Sequence, residues 1–507
     1  MKNIIRTIYI LSAVIMTAFA LNGCGTVTRG TGESAAVGLE QVTLKMYIPG
    51  NRPIDMDEVI SQAEERMKDT VNVKLDMIFV PWSDLASKTQ VALITGEDID
   101  LVYDAPWMLM NEMISGGYYE PLDDLIQQYG KNIITTRTQA LLDANRFEGA
   151  IYGIPSAGGD HAVLRSYAYR KDLAEKYEIP QITNYEQLIE FLYIIKDSEP
   201  DLIPLSAGTV IPQTVAGMRL ESETNLRPTP ALPADYILYF DGNDGKVKNL
   251  FDDITDEILS YFTETRKLYE DKIIDQDILA SAVPGNSLLQ EGKRAVATHN
   301  STVLFYDVAE ELKNIYPDAE LDTYNANKFE KGKYITTFQR WDFMCVPKIS
   351  KNKERVIMFI DWVNAEQANF DLVMYGVEGK NWEPVGDRQI NRLNADFPPF
   401  GYAWGNPMFI RSDSRYTPAD IEKSKFLSDA NNYVPDILIG FTFNAEPVTD
   451  EITLYNNLQS KYMIPISNGV IDPEENWEAF KNEGYDAVKI IQDELQKQID
   501  TFLVSNS

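Results

Sequence analysis

Two histidines, two cysteines and seven tryptophans are the scarce chemistry-bearing residues of this 507-residue chain. Two His and two Cys cannot complete a Cys/His zinc site unless carboxylates join them, so no metal centre is assigned. Carboxylates are plentiful. Asp plus Glu number 77 against 46 Lys plus Arg, a formal net charge of −31. At that density acidic pairs occur everywhere, and none singles out the two-carboxylate geometry of a glycosidase. No nucleophile elbow is present either, and no catalytic residue is named. No Gly-x-Gly-x-x-Gly follows the first strand pattern and no Gly-Lys-Ser/Thr phosphate loop occurs, so no cofactor is called for. Asp241-Gly242-Asn243-Asp244-Gly245 lacks EF-hand ligand spacing, with Asp252 where the loop needs its terminal Glu. Tyr236 to Phe240 and Lys246 to Leu250 flank it as arms of a β-hairpin. The negative charge repels phosphate backbones, which excludes nucleic acid as a partner.

The cysteines divide. Lys2 and Arg6 precede an apolar run from Ile8 to Leu21, and Leu21-Asn22-Gly23-Cys24 comes next. This is a secretory leader, too short for a comfortable membrane span. Its end resembles a bacterial lipobox, in which the cysteine is lipidated and becomes the mature N-terminus. Residues 1–23 are thus a signal peptide, Cys24 a lipid anchor, and the Gly-, Thr-, Ser- and Ala-rich stretch 24–39 a flexible tether. The protein is expected outside the cytoplasm, on the outer face of the cell membrane, touching it through the anchor only. Cys345 lies in the apolar run Phe343-Met344-Cys345-Val346 and reads as a buried thiol.

The elements that would position a site emerge from periodicity. Val42, Leu44, Met46 and Ile48 alternate as a strand. Val59, Ile60, Ala63 and Met67 mark one helical face between Ile54 and Asp69. Val71 to Phe79 is a second strand, Pro81 to Ile94 a helix with Ser83 as N-cap, and Ile99 to Tyr103 a third strand. Strand–helix alternation predicts a parallel sheet, with ligands beyond the carboxyl ends of its strands. Those ends carry Asn51 and Arg52, Trp82, and Asp104 to Trp107. Farther on, Asn184 or Thr183 caps a helix running to Ile195.

Several ordered segments together resemble extracellular solute-binding protein family 1, the substrate-binding lipoproteins of ABC importers. Leu93-Ile94-Thr95-Gly96-Glu97-Asp98-Ile99-Asp100-Leu101-Val102 resembles a helix–Gly-Glu–strand stretch of that family, and Gly117 to Asp123 its Gly-x-x-x-Pro-Leu-Asp segment. Ile151 to Pro155 and Tyr169 to Leu173 resemble its first hinge crossing. Ile349 to Arg355 resembles its Ser-Lys-Asn segment. Tyr375-Gly376-Val377-Glu378-Gly379 is similar to the signature of a large branch, and Gly440 onward to that branch's uncharacterised C-terminal domain. The resemblance implies an α/β, two-lobed periplasmic-binding-protein-like fold. Each lobe would be a mostly parallel sheet flanked by helices, the two joined by hinge strands. Lobe 1 would be 40–156 plus 342–395, and lobe 2 157–341 plus 396–507.

It further implies a monomer that closes on a carbohydrate, an oligosaccharide by preference, and delivers it to ABC permease subunits without chemistry. Sugars offer apolar C–H faces for aromatic rings and hydroxyls for polar side chains. The candidates for contact are Asn51, Arg52, Trp82, Asp104, Trp107, Asp160, His161, His299, Asn300, Trp341 and Trp404. His161 and His299 enter because they resemble ligand-contacting places in the family, and Trp341 because it falls at the second crossing. Trp362 and Trp477 sit in helical patterns and are assigned to core. Two alternatives stay open: the same fold holding a peptide or acting as a sensor, and a secreted glycosidase.

Overall fold

The structure, a computed structural model, describes residues 39–505 apart from 157–160, 163, 180, 225, 228–233, 281–288, 300–305, 387 and 395. The leader, Cys24, Asp160 and Asn300 lie outside the described residues, as does all of the tether but residue 39. Every described residue from Glu40 onward belongs to one unit, 40–507.

The first sheet orders its strands Val73–Val80, Val42–Pro49, Leu101–Asp104, Phe343–Cys345, Gly153–Pro155. The first three are parallel, in the register Val42 to Val73 and Met46 to Leu101. Helices Met56–Met67 and Trp82–Thr95 connect them. The second begins one residue before Ser83, with Pro81 rather than Ser83 as its N-cap. Gly96 closes it in the left-handed conformation at φ 71°, which costs glycine little. Phe343–Cys345 runs antiparallel to both neighbours.

The second sheet orders Leu321–Asn325, Ser166–Arg170, Arg294–His299, Ile203–Ser206. It is mixed rather than mostly parallel: only Arg294–His299 and Ile203–Ser206 run together. The cause is topological. Ser166–Arg170 takes the chain away from the first sheet and Leu321–Asn325 carries it back, so these neighbours run in opposite directions. The hairpin foreseen around Asp241 forms between Leu238–Asp241 and Val247–Asn249. Asn184 caps Tyr185–Ser198, its side chain accepting from the Gln187 N–H at 2.9 Å.

One core surrounds the first sheet, and Cys345 is buried in it. Phe397, Phe400, Ala403 and Trp404 pack there too, not with the second sheet as expected of 396–507. A separate core lies under the second sheet. The C-terminal helix Pro473–Ser505 builds a further core with the 238–249 hairpin and helix Asp256–Glu270, centred on Phe251, Phe262, Trp477 and Phe480. The Tyr-Gly-x-Glu-Gly signature is architectural. Gly376 holds φ 90°, a Cβ there would stand 2.5 Å from Asn381 Oδ1, and that oxygen accepts from the Val377 N–H at 2.8 Å.

Arg137 ties the first core to the crossings. It is 2% exposed. Its Nε donates to the Pro155 carbonyl at 2.8 Å, and its two Nη groups to Asn364 Oδ1 at 2.8 Å and the Gly405 carbonyl at 3.2 Å. Burial lowers its pKa to about 10, still well above neutral. Arg137→Met removes three donors from buried acceptors and is expected to cost about 3 kcal/mol of stability. The measurement is the urea unfolding midpoint.

Candidate functional site

The parallel strands end at Pro49, Val80 and Asp104, and aromatic side chains gather over these ends. Trp82 and Trp107 are the open ones, 43% and 49% exposed. Their ring centroids lie 6.5 Å apart at 32°. Tyr103 and Tyr402 meet Trp82 edge-on at 5.4 and 5.3 Å and fix its ring from behind. The Tyr402 hydroxyl donates to the Pro49 carbonyl at 2.9 Å. The Trp107 ring N–H donates to the Trp341 carbonyl at 2.8 Å, which anchors one wall to the crossing.

Trp107 and Trp341 line a cavity of about 240 Å³. Across from them stand His161, Arg165, Glu221, Asp436 and Thr442. Arg165, Glu221, Arg227 and Asp436 pair among themselves. Arg165 Nη2 lies 3.0 Å from Glu221 Oε1, the Tyr236 hydroxyl donates to the same carboxylate, and Arg227 pairs with Asp436. Buried atoms of the lining residues with no hydrogen-bond partner among the described residues include Asn111 Oδ1, His161 Nδ1, Thr442 Oγ1 and Arg227 Nε. Buried polar atoms are nearly always paired, so orphans clustered on the residues of one cavity mark polar groups left for a ligand. Burial, then the nearby Arg340 charge, pushes His161 down to about 4, so the ring is neutral at physiological pH. Phe338 and Tyr433 hold it edge-on at 5.2 and 5.7 Å.

The expected site residues separate under this geometry. Trp107, Trp341 and His161 meet at the cavity, and Trp82 lies beside it. Asp104 does not reach it. It is 0% exposed, and its carboxylate accepts from the Ala105 and Leu109 N–H groups at 2.7 and 3.1 Å and from the Tyr119 hydroxyl at 2.5 Å. The turn after the strand folds back over its own aspartate. His299 is buried in the second sheet, Nδ1 3.4 Å from Ser166 Oγ. Trp404 is core, edge-on to Phe359 at 5.8 Å, because 401–404 is a short helix rather than an open loop. Arg52 wraps the edge strand instead, donating to the Met77 carbonyl at 2.8 Å and pairing with Asp57. Asn51 is exposed at the turn. Sequence reasoning missed Asn111, Arg165, Glu221, Tyr402, Asp436 and Thr442. Asn111 stands one helical turn past Trp107, a readable spacing; the others arrive from remote segments.

Among the described residues no His/Cys/Asp/Glu group could hold a metal ion, and no helix is long and apolar enough to cross a membrane.

Burial lifts the Asp104 carboxyl to about 6 despite its three hydrogen bonds. A carboxyl whose folded pKa exceeds its unfolded one contributes stability below about pH 4, lost as pH rises through 6. Asp104→Asn keeps both backbone hydrogen bonds and does not titrate. Its stability is expected to gain about 3 kcal/mol relative to wild type between pH 4 and pH 7. Urea unfolding at the two pH values measures this.

Residues 55–370 match the family described as bacterial extracellular solute-binding protein, and residues 437–504 match a domain of unknown function. A carbohydrate ABC transporter substrate-binding protein of Streptococcus pneumoniae serotype 4 is 26% identical over 516 residues, 99% of each chain. The N-glycan transport solute binding protein of S. pneumoniae superposes with TM-score 0.73 at 24% identity, over 92% of this chain and 100% of that one. Its complex with Man1GlcNAc gives 0.73 at 25% identity, over 91% and 99%. The alginate-binding protein AlgQ2 gives 0.63 at 17% identity, over 90% and 98%.

Proposed function

This chain belongs to the bacterial extracellular solute-binding protein family, and we propose that it captures an oligosaccharide for an ABC importer. The carrying observation is the cavity to which residues of 106–147, 161–227, 327–341 and 436–443 contribute. Two indoles line it, and buried polar atoms of its lining residues, Asn111 Oδ1, His161 Nδ1 and Thr442 Oγ1 among them, lack partners among the described residues. Indole faces suit the C–H faces of sugar rings, and the orphan atoms suit hydroxyls. The name of the pneumococcal relative and the Man1GlcNAc complex of the structural neighbour support the same ligand class.

In this reading the bodies built on 40–156 plus 342–395 and on 157–341 plus the C-terminal region are the two lobes. Residues 397–404 go with the first. A ligand touching both lobes favours the closed arrangement by its differential affinity for it, and the permease subunits read closure. The protein acts as a monomer, held to the outer face of the membrane by lipid on Cys24. It binds and releases without turnover.

Isothermal titration against a glycan panel tests the ligand class. Trp107→Ala is expected to weaken the best ligand roughly tenfold or more, about 1.4 kcal/mol. Unchanged affinity in Trp107→Ala and Trp341→Ala together would sink the cavity assignment. For the anchor, palmitate labelling of the full chain in its bacterial host is expected to mark the wild type. Cys24→Ala should lose the label and leave the cells.

A further inference from the structure

Two carboxylates, one buried and one half-buried, stand at the ends of neighbouring strands at the crossings, and they are not equivalent. Asp104 is enclosed, with three hydrogen-bond donors around it. Asp342 lies one residue before Phe343, the strand partner of Asp104, and is only half-buried. Its backbone carbonyl accepts from the Ser156 N–H at 2.9 Å. Its carboxylate accepts from the Tyr103 hydroxyl and, among the described residues, has no other hydrogen bond and no ion pair. A carboxylate has room for about four donors. Burial therefore lifts Asp342 to about 6 with that single phenol opposing it. The titratable groups facing it are the Tyr103 and Tyr402 phenols.

The surroundings of Asp342 say what would complete it. Tyr103 and Tyr402 form a mutually edge-on triangle with Trp82, with 6.0 Å between the two tyrosine centroids. Trp82 is 43% exposed and lies 6.5 Å from Trp107, which lines the cavity. The aromatic surface thus continues out of the cavity, over Trp82, toward Tyr402 and the turn at Gly50, where a Cβ would meet the Tyr402 hydroxyl at 3.7 Å. Neither Trp82 nor Asp342 lines the cavity itself.

The geometry points to a second sugar subsite outside the cavity, in which Trp82 stacks on a pyranose ring and Asp342 accepts from its hydroxyls. This rests on the oligosaccharide reading and extends it. The ligand is at least two rings long, one ring in the cavity against Trp107 and the next on Trp82. Hydroxyls suit Asp342 because they supply donors without charge.

The test titrates the full-length protein with mannans, glucans and chitooligosaccharides of one to five rings. In wild type, affinity should rise roughly tenfold or more from one ring to two or three. Trp82→Ala and Asp342→Ala should each lose roughly tenfold for the longer ligand and leave the single ring unchanged. Tyr103→Phe deletes the phenol donor but keeps the carboxylate, so it should retain the length dependence and separates binding from support. Long-ligand affinity should weaken as pH falls through 6 in wild type and stay flat in Asp342→Asn. If long ligands bind and Trp107→Ala weakens them while Trp82→Ala and Asp342→Ala do not, the subsite is overturned and the cavity stands. If no glycan binds wild type, the oligosaccharide reading falls and the subsite with it.

Discussion

The architecture turns on one guanidinium. Arg137 is closed off from solvent, and among the described residues no carboxylate neutralises it. Fixed carbonyl and amide oxygens surround it instead: Pro155 where the chain leaves the first sheet, Asn364 in the helix behind it, and Gly405 in the segment that returns against it. A buried charge is tolerable only when its hydrogen bonds are complete. The three segments therefore cannot drift apart without exposing or orphaning that charge. Asn364 extends the constraint, since its Oδ1 also accepts from Asn406 at 2.7 Å. The crossings leave the first core from a fixed base.

Distribution of partners, not composition, separates structural from available groups in this fold. The strongly acidic chain holds its cavity charges in pairs, Arg165 with Glu221 and Arg227 with Asp436. The same contrast distinguishes Asp104 from Asp342, neighbours with similar burial cost and different numbers of donors.

The first hundred residues were the most legible. Alternation from Val42 and the apolar face at Val59, Ala63 and Met67 are one-dimensional signals, and the sheet obeys them. Strand ends were legible as well, and two exposed tryptophans stand there. Burial at those ends was not legible. Asp104 and Trp107 are three residues apart, yet one is enclosed by its own turn and the other is open. Trp404 looked like a loop residue because four-residue helices carry no periodic signal. Thr442 could not be read, because nothing local distinguishes a threonine aimed at a cavity assembled from distant segments. The mixed second sheet came from chain routing, which residue patterns do not record.

The tie between Trp107 and Trp341 has a stereochemical consequence. Indole has one polar atom, and here the Trp341 carbonyl holds it. Trp107 therefore meets any occupant as a bare π-face. A ring laid on it needs an unbroken patch of C–H on one side, and an axial hydroxyl on that side would lift it away. Discrimination between epimers can thus arise at a residue that makes no hydrogen bond to the ring it holds.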